Sequence, residues 1–140
     1  MMKQEFFNLE IKTNGQKLYE FTDQAIIWIK ENNLNNGIIN LSIQHTSASL
    51  IVQENADPDV QIDLKNYFNK LVPMDNSLYA HAAEGDDDMP AHIKSSLTNN
   101  QITLSIKDGN LLLGIWQGLY LFEHRFNSQN RRVIFHFIGS

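Results

Sequence analysis

The stretch Ile38-Ile39-Asn40-Leu41-Ser42-Ile43-Gln44 decides the fold class. Ile39, Leu41 and Ile43 alternate with Asn40, Ser42 and Gln44, the two-residue period of a strand with one wet face. Gln101 to Ile106 repeats the pattern: Ile102, Leu104 and Ile106 alternate with Gln101, Thr103 and Ser105. Half-buried strands of this kind belong to antiparallel sheets. Lys3 to Thr13, with Phe6, Phe7, Leu9 and Ile11, reads as another strand, and Arg131 to Ile138 as a closing one. Asp108-Gly109 is a hairpin signal. Asn14-Gly15 is a second turn pair, which predicts that Lys17 to Phe21 returns as a strand. Leu111 to Glu123 carries apolar residues at both parities, while Gly114 and Gly118 weaken a helix there; a central strand is expected.

Helices punctuate these strands. Thr22 is placed to cap a helix whose inner face is Ala25, Trp28 and Ile29, broadened by Ile26 and Ile27 and ended by Asn36-Gly37. Asp57-Pro58 starts a second helix, with Val60, Leu64, Phe68 and Leu71 at helical spacing and Pro73 as its stop. Residues 74–89 read as a loop, and a loop of that length is often functional. Met89-Pro90 opens a short third helix through Leu97, ended by Asn99-Asn100. The sum is an α+β fold: about seven to nine strands, mostly antiparallel, with two or three helices.

At 140 residues the chain has the size of a single domain, 1–140, able to bury a core without staples. It has no cysteine, so disulfides, thiolate ligands and thiol nucleophiles are excluded, and any transition-metal site must use His and carboxylates. The net charge of −5, with no basic block, argues against nucleic-acid or anionic-membrane binding. No signal peptide is visible. The longest apolar stretch, Leu111 to Phe122, is broken by Gln117 and falls short of the ~20 residues that span a bilayer. A cytoplasmic protein without membrane contact is expected.

Polar, chemically capable residues gather in HTSASL (45–50), EGDDDMPAHIKSSL (84–97) and WQGLYLFEHR (116–125). His45 continues the inward parity of its strand, with Ser47 and Ser49 after it on the same face. His92 lies just inside a Pro-initiated helix, whose electropositive start, with Lys94, Ser95 and Ser96, suits a phosphate. Asp86, Asp87 and Asp88 are either a solvated acidic loop or a source of Mg²⁺ ligands or a general base, and Asp87 is the choice among them. His45, His81 and His92 would complete a three-histidine zinc set, with His124 as the alternative third ligand to His81. Trp116 and Gln117 read either as core or as a stacking platform and a ring-edge reader. Arg125 either pairs with Glu123 or clamps a phosphate. His136, between Ile134 and Ile138, reads as structural.

HTSASL, ENADPDV, EGDDDMPAHIKSSL and GIWQGLYLFEHR occur in that order, with the Asp108-Gly109 turn and the terminal RRVIFHFIG. Through them essentially the whole chain resembles the YjbQ-type family, to which a secondary thiamine-phosphate synthase activity is ascribed. The resemblance implies an α+β domain around an antiparallel, barrel-like or sandwich sheet, and a homotrimer with clefts between subunits. It also implies a reaction that joins hydroxymethylpyrimidine diphosphate to thiazole phosphate and releases pyrophosphate. The positions it marks are His45, Thr46, Ser47, His81, Gly85, Asp86, Asp87, His92, Ser95, Trp116, Gln117, Glu123 and Arg125. Some relatives carry cysteine where this chain has Ala56, so no thiol role carries over. The main thiamine-phosphate synthases are TIM barrels, and this chain is well short of the ~250 residues typical of that fold, so a shared activity would be convergent.

Together these readings give three candidates. The first is a transferase with Asp87, Ser47 and Glu123 as catalytic residues. In it Thr46, Lys94, Ser95, Trp116, Gln117 and Arg125 hold a small phosphorylated metabolite, beside a divalent zinc or magnesium ion. The second is a zinc-dependent hydrolase with His45, His81 and His92 as ligands and Asp87 as base. The third is a non-catalytic trimer that binds a metabolite or metal.

Overall fold

A computed structural model describes residues 1–140. In chain order the strands are β1 (Lys3–Thr13), β2 (Leu18–Glu20), β3 (Gly37–Ile43), β4 (Ala48–Glu54), β5 (Gln101–Lys107), β6 (Asn110–Leu111), β7 (Gln117–Glu123) and β8 (Gln129–Gly139). The helices are α1 (Thr22–Glu31), α2 (Pro58–Leu71) and α3 (Asp88–Leu97). Two antiparallel sheets result, with strand orders β1-β8-β3-β5-β6 and β2-β7-β4. The architecture is α+β, as the alternation predicts.

β3 lies between β8 and β5, with Leu41 opposite Phe135 on one side and Ile102 on the other. Its inward residues Ile39 and Leu41 are fully buried, beside Val133, Phe135 and Phe137 of β8. α1 closes this face with Ala25, Trp28 and Ile29, and Trp28 meets Phe135 edge-on at 5.6 Å. β7 is the central strand of the smaller sheet, and six of its seven residues are buried. Leu119 and Leu121 join the main core. Tyr120 and Phe122 join Leu18 in a second cluster, which Phe68 of α2 covers. Apolar residues at both parities thus serve two cores. No helix is long and apolar enough to cross a membrane.

Three local expectations are corrected. Asn14-Gly15 does turn the chain, but β2 leaves β1 and pairs with β7, Leu18 opposite Phe122. That placement buries Leu18 against Tyr120 and Phe122, whereas a hairpin on the outer edge of β1 would leave it in water. Thr22 is the first residue of α1 and not its cap; Phe21 occupies the cap position. The Thr22 hydroxyl instead donates to Glu20 Oε2 at 2.8 Å and accepts the Leu119 N–H at 2.9 Å, tying α1 to β7. Finally, α1 stops at Glu31, and Gly37 opens β3. A Cβ on Gly37 would lie 2.2 Å from the Ile138 carbonyl oxygen, so only glycine permits this crossing with β8. Asp57 caps α2 as anticipated, accepting the Asp59 N–H at 2.9 Å.

A candidate metal centre and its neighbours

α3 begins at Asp88, within the acidic run and ahead of Met89-Pro90. Its first residue and His92 are four apart, so they share a helix face. The preceding loop brings His81 over them. Asp88 Oδ2 lies 2.6 Å from His81 Nε2 and 3.2 Å from His92 Nε2. The three ligand atoms lie within 4.8 Å of one another. Asp88 is nearly buried, whereas the histidine side chains are 42% and 32% exposed, so the cluster opens to solvent.

Each member is oriented by a neighbour. His92 Nδ1 donates to the Thr46 carbonyl at 2.9 Å, which aims Nε2 at Asp88 Oδ2. Arg125 takes the other Asp88 oxygen, Nη1 to Oδ1 at 2.6 Å. The same guanidinium donates to Asp87 Oδ2 at 3.0 Å and to the Glu84 carbonyl at 3.1 Å. Burial of Asp88 opposes its ionisation, but the His81 hydrogen bond and the charges of Arg125 and His92 prevail and hold its pKa below the usual carboxylate value. The hydrogen bond to Asp88 in turn raises the pKa of His81. Two imidazole nitrogens and a carboxylate oxygen, converging with an open side, could hold a divalent ion.

Behind this cluster lies a closed polar network. Glu123 is fully buried and pairs with Arg131, itself 4% exposed. Its Oε1 accepts from Thr13 Oγ1 at 2.5 Å and Arg131 Nε at 2.7 Å. Its Oε2 accepts from Arg131 Nη2 and from the backbone N–H groups of His124 and Arg125, both at 3.1 Å. His124 is buried beside it. Burial, with the Lys94 and Arg131 charges, pushes its pKa down to about 3. Lys94 is 1% exposed and donates to Asn69 Oδ1 of α2 at 2.6 Å. Burial pushes its pKa down to about 8 against the opposing charge of Asp87.

On the other side of His92 an open cleft of about 360 Å³ is lined by His45, Thr46, His92, Ser95, Ser96 and Asn100. The turn between β3 and β4, α3 and the residue preceding β5 form it.

The expected site residues therefore separate. His81 and His92 come together; His45 is in the adjoining cleft, where its Nε2 accepts the Arg132 N–H at 3.0 Å, and is not a member of the cluster. His124 is enclosed, with Nε2 2.9 Å from Ser49 Oγ. Asp87 is not in the cluster and is held through one oxygen: its Oδ2 accepts from Arg125 Nε and from the Phe126 N–H at 2.9 Å. Glu123 is sealed from any substrate, and Ser47 Oγ accepts from Arg131 Nη2 at 3.0 Å. Lys94 faces Asn69 and not an anion. Arg125 meets acidic and carbonyl acceptors with all three nitrogens, so it positions carboxylates and does not clamp phosphate. Trp116 is 60% exposed. Gln117 accepts the Gly114 N–H at 2.7 Å, at the far end of β7, roughly 20 Å along the strand from Glu123.

Of the three aspartates it is Asp88, and not the favoured Asp87, that joins the histidines, and its four-residue spacing to His92 is a readable signal for it. Arg131 is absent from the sequence reading of the site and carries no such signal, because its partner is set by the pairing of distant strands.

A sequence model described as UPF0047 protein YjbQ-like matches residues 7–140. A UPF0047 protein of Synechocystis is 46% identical over 131 residues, covering 94% of this chain and 89% of its own. The UPF0047 protein YjbQ of Escherichia coli O157:H7 is 41% identical over 135 residues and 96% of both chains. A crystal structure from Clostridium acetobutylicum, described as an uncharacterized conserved protein of the yjbq/upf0047 family, superposes with a TM-score of 0.82 at 30% identity, covering 95% of this chain and 99% of that one. A YbjQ-like protein of unknown function from Sulfolobus solfataricus superposes over the whole of both chains with a TM-score of 0.91 at 20% identity, a likeness of fold.

Proposed function

This chain belongs to the YjbQ-like UPF0047 family, and from that premise we propose that it is a metal-dependent enzyme acting on a small phosphorylated metabolite, with His81, Asp88 and His92 as the ligands. One observation carries the reading. His92 uses Nδ1 on the Thr46 carbonyl, so Nε2 is the ring atom that faces the Asp88 carboxylate at 3.2 Å. A ring nitrogen and a carboxylate oxygen at that distance need a proton or a metal cation between them, and a cation can take the place of the proton. Two imidazoles and one carboxylate suit zinc, whereas magnesium prefers all-oxygen ligands.

When bound, such an ion supplies a Lewis acid and lowers the pKa of water. The chain's own residues do the rest. The Thr46 carbonyl fixes the His92 ring. Arg125 holds Asp88 through Oδ1 and leaves Oδ2 for the centre. Glu84 Oε2, 3.1 Å from His81 Nε2 and largely exposed, is the carboxylate placed to accept a proton at the rim. That role replaces the one expected of Asp87.

Thiamine-phosphate synthesis, implied by the resemblance, is one instance of this chemistry, because its leaving group is an oxyanion that a cation stabilises. The homotrimer and the cytoplasmic setting expected from the sequence belong to the same proposal.

The test is metal content by plasma mass spectrometry on native-purified protein, beside Asp88→Asn and His92→Ala. About one ion per chain, lost in both variants, is expected. Pyrophosphate release from the two thiamine precursors, and phosphate release from simple phosphomonoesters, are then measured with and without chelator. A protein that takes up no ion, or whose turnover is indifferent to chelation, removes the reading.

A further inference from the structure

The cleft beside His92 contains donors that the metal centre does not use. No acidic residue lines it. His45 Nε2 accepts the Arg132 N–H, so the proton of the neutral ring sits on Nδ1 and is free to donate. Thr46 uses only its carbonyl, on His92; its hydroxyl and the Asn100 amide make no hydrogen bond within the chain. The backbone N–H groups of His45 and Thr46, two of its lining residues, also have no acceptor in the chain. Arg132, held beside His45 by that same backbone bond, is exposed and its guanidinium has no carboxylate partner. Ser95 and Ser96 act differently. Their hydroxyls donate to the Ala48 and His92 carbonyls, so they form the wall of the cleft and do not contact the ligand as donors.

A group of unpaired donors without a carboxylate is the environment that a tetrahedral oxyanion requires. Arg125 and Lys94, the cations the sequence offers first for this task, are already occupied by Asp87, Asp88 and Asn69. We propose that the cleft of His45, Thr46 and Asn100, with Arg132 beside it, is the phosphate subsite of the enzyme. It receives the phosphate of a phosphomonoester whose remainder reaches His81 and Asp88 across the His92 ring. This rests on the metal reading for its place in catalysis, but not for the binding of phosphate itself.

The experiment is calorimetric titration of inorganic phosphate into chelator-treated protein. Saturable binding is expected in the wild type, weakened about tenfold by Arg132→Gln and by Thr46→Val. Both positions are exposed, and an unchanged unfolding midpoint confirms that each variant is folded. Lys107→Gln, on an exposed lysine of β5, controls for net charge and should bind as the wild type does. Asp88→Asn should also bind phosphate normally, which separates this inference from the metal reading. Absence of saturable binding up to about 10 mM overturns the subsite. So does binding that ignores both cleft variants, or binding that disappears in Asp88→Asn.

Discussion

Glu123–Arg131 and Asp88–Arg125 are the same chemical pair in two surroundings. Around Glu123 five donors converge on two oxygens and solvent is excluded. Around Asp88 the arginine takes one oxygen, and the other faces two half-exposed imidazoles. A carboxylate with every lone pair in use is scaffold, whereas one with an oxygen left over is a place for chemistry. The two are linked by a few residues of chain. Glu123 ends β7 and accepts the backbone N–H groups of His124 and Arg125. The closed pair therefore fixes the backbone from which Arg125 reaches the open one.

Acid gives the largest contrast between the two regions. His124, in the closed one, has its pKa held near 3 against an ordinary 6.5. The unfolded chain therefore binds the extra proton first. This group's contribution is complete above pH 6.5 and falls away as pH drops toward 3, by up to about 5 kcal/mol. Urea unfolding across that range should show the loss, and His124→Gln should flatten it; an unchanged slope would mean that the network is not dry. His81, in the open region, has a raised pKa and the opposite sign: in metal-free protein its contribution is present below 6.5 and is lost as pH climbs through its folded value.

Next in size is Arg131→Met, which leaves Glu123 buried without its cation. A loss of about 4 kcal/mol in unfolding free energy is expected. Weaker metal uptake should accompany it, because the Arg125 backbone is anchored on Glu123. Destabilisation with full metal affinity would show that the two regions are independent. The smallest effect is that of Arg125→Lys. An ammonium cannot bridge Asp87, Asp88 and the Glu84 carbonyl together, so zinc affinity should fall about tenfold with little change in stability. Competition with a chromogenic chelator measures it, and wild-type affinity would remove Arg125 from the centre.

The scaffold was the more legible part of the sequence. Alternation around Leu41, Leu104 and Phe135 marks strands because one face of each lies on a core, and local spacing carries that information. The destination of β2 could not be read, since Asn14-Gly15 specifies a turn but not which sheet receives the chain. The acidic run shows the same limit at the site. Asp86, Asp87 and Asp88 differ only in their phase relative to α3. A start at Asp88 points that side chain at His92 and leaves Asp87 to bind Arg125 and the Phe126 N–H. Lys94 reads from sequence as a phosphate donor near the start of α3, but it is buried. Its burial depends on Asn69 of α2, which lies 25 positions earlier.

α2 has no buried residue along its fourteen positions. Phe68, the Gln16–Asn69 amide pair, Lys94 and the Gln61 amide, which donates to the Tyr120 hydroxyl at 3.3 Å, attach it to the body of the chain. An element held by so few apolar contacts opens without the rest of the fold. In deuterium exchange its amides should be labelled well before those of β3 and β8. Each such opening would release Lys94 from Asn69 and admit water to the interior beside His124. The interval during which the closed network stays dry is then governed by how often one surface helix lifts.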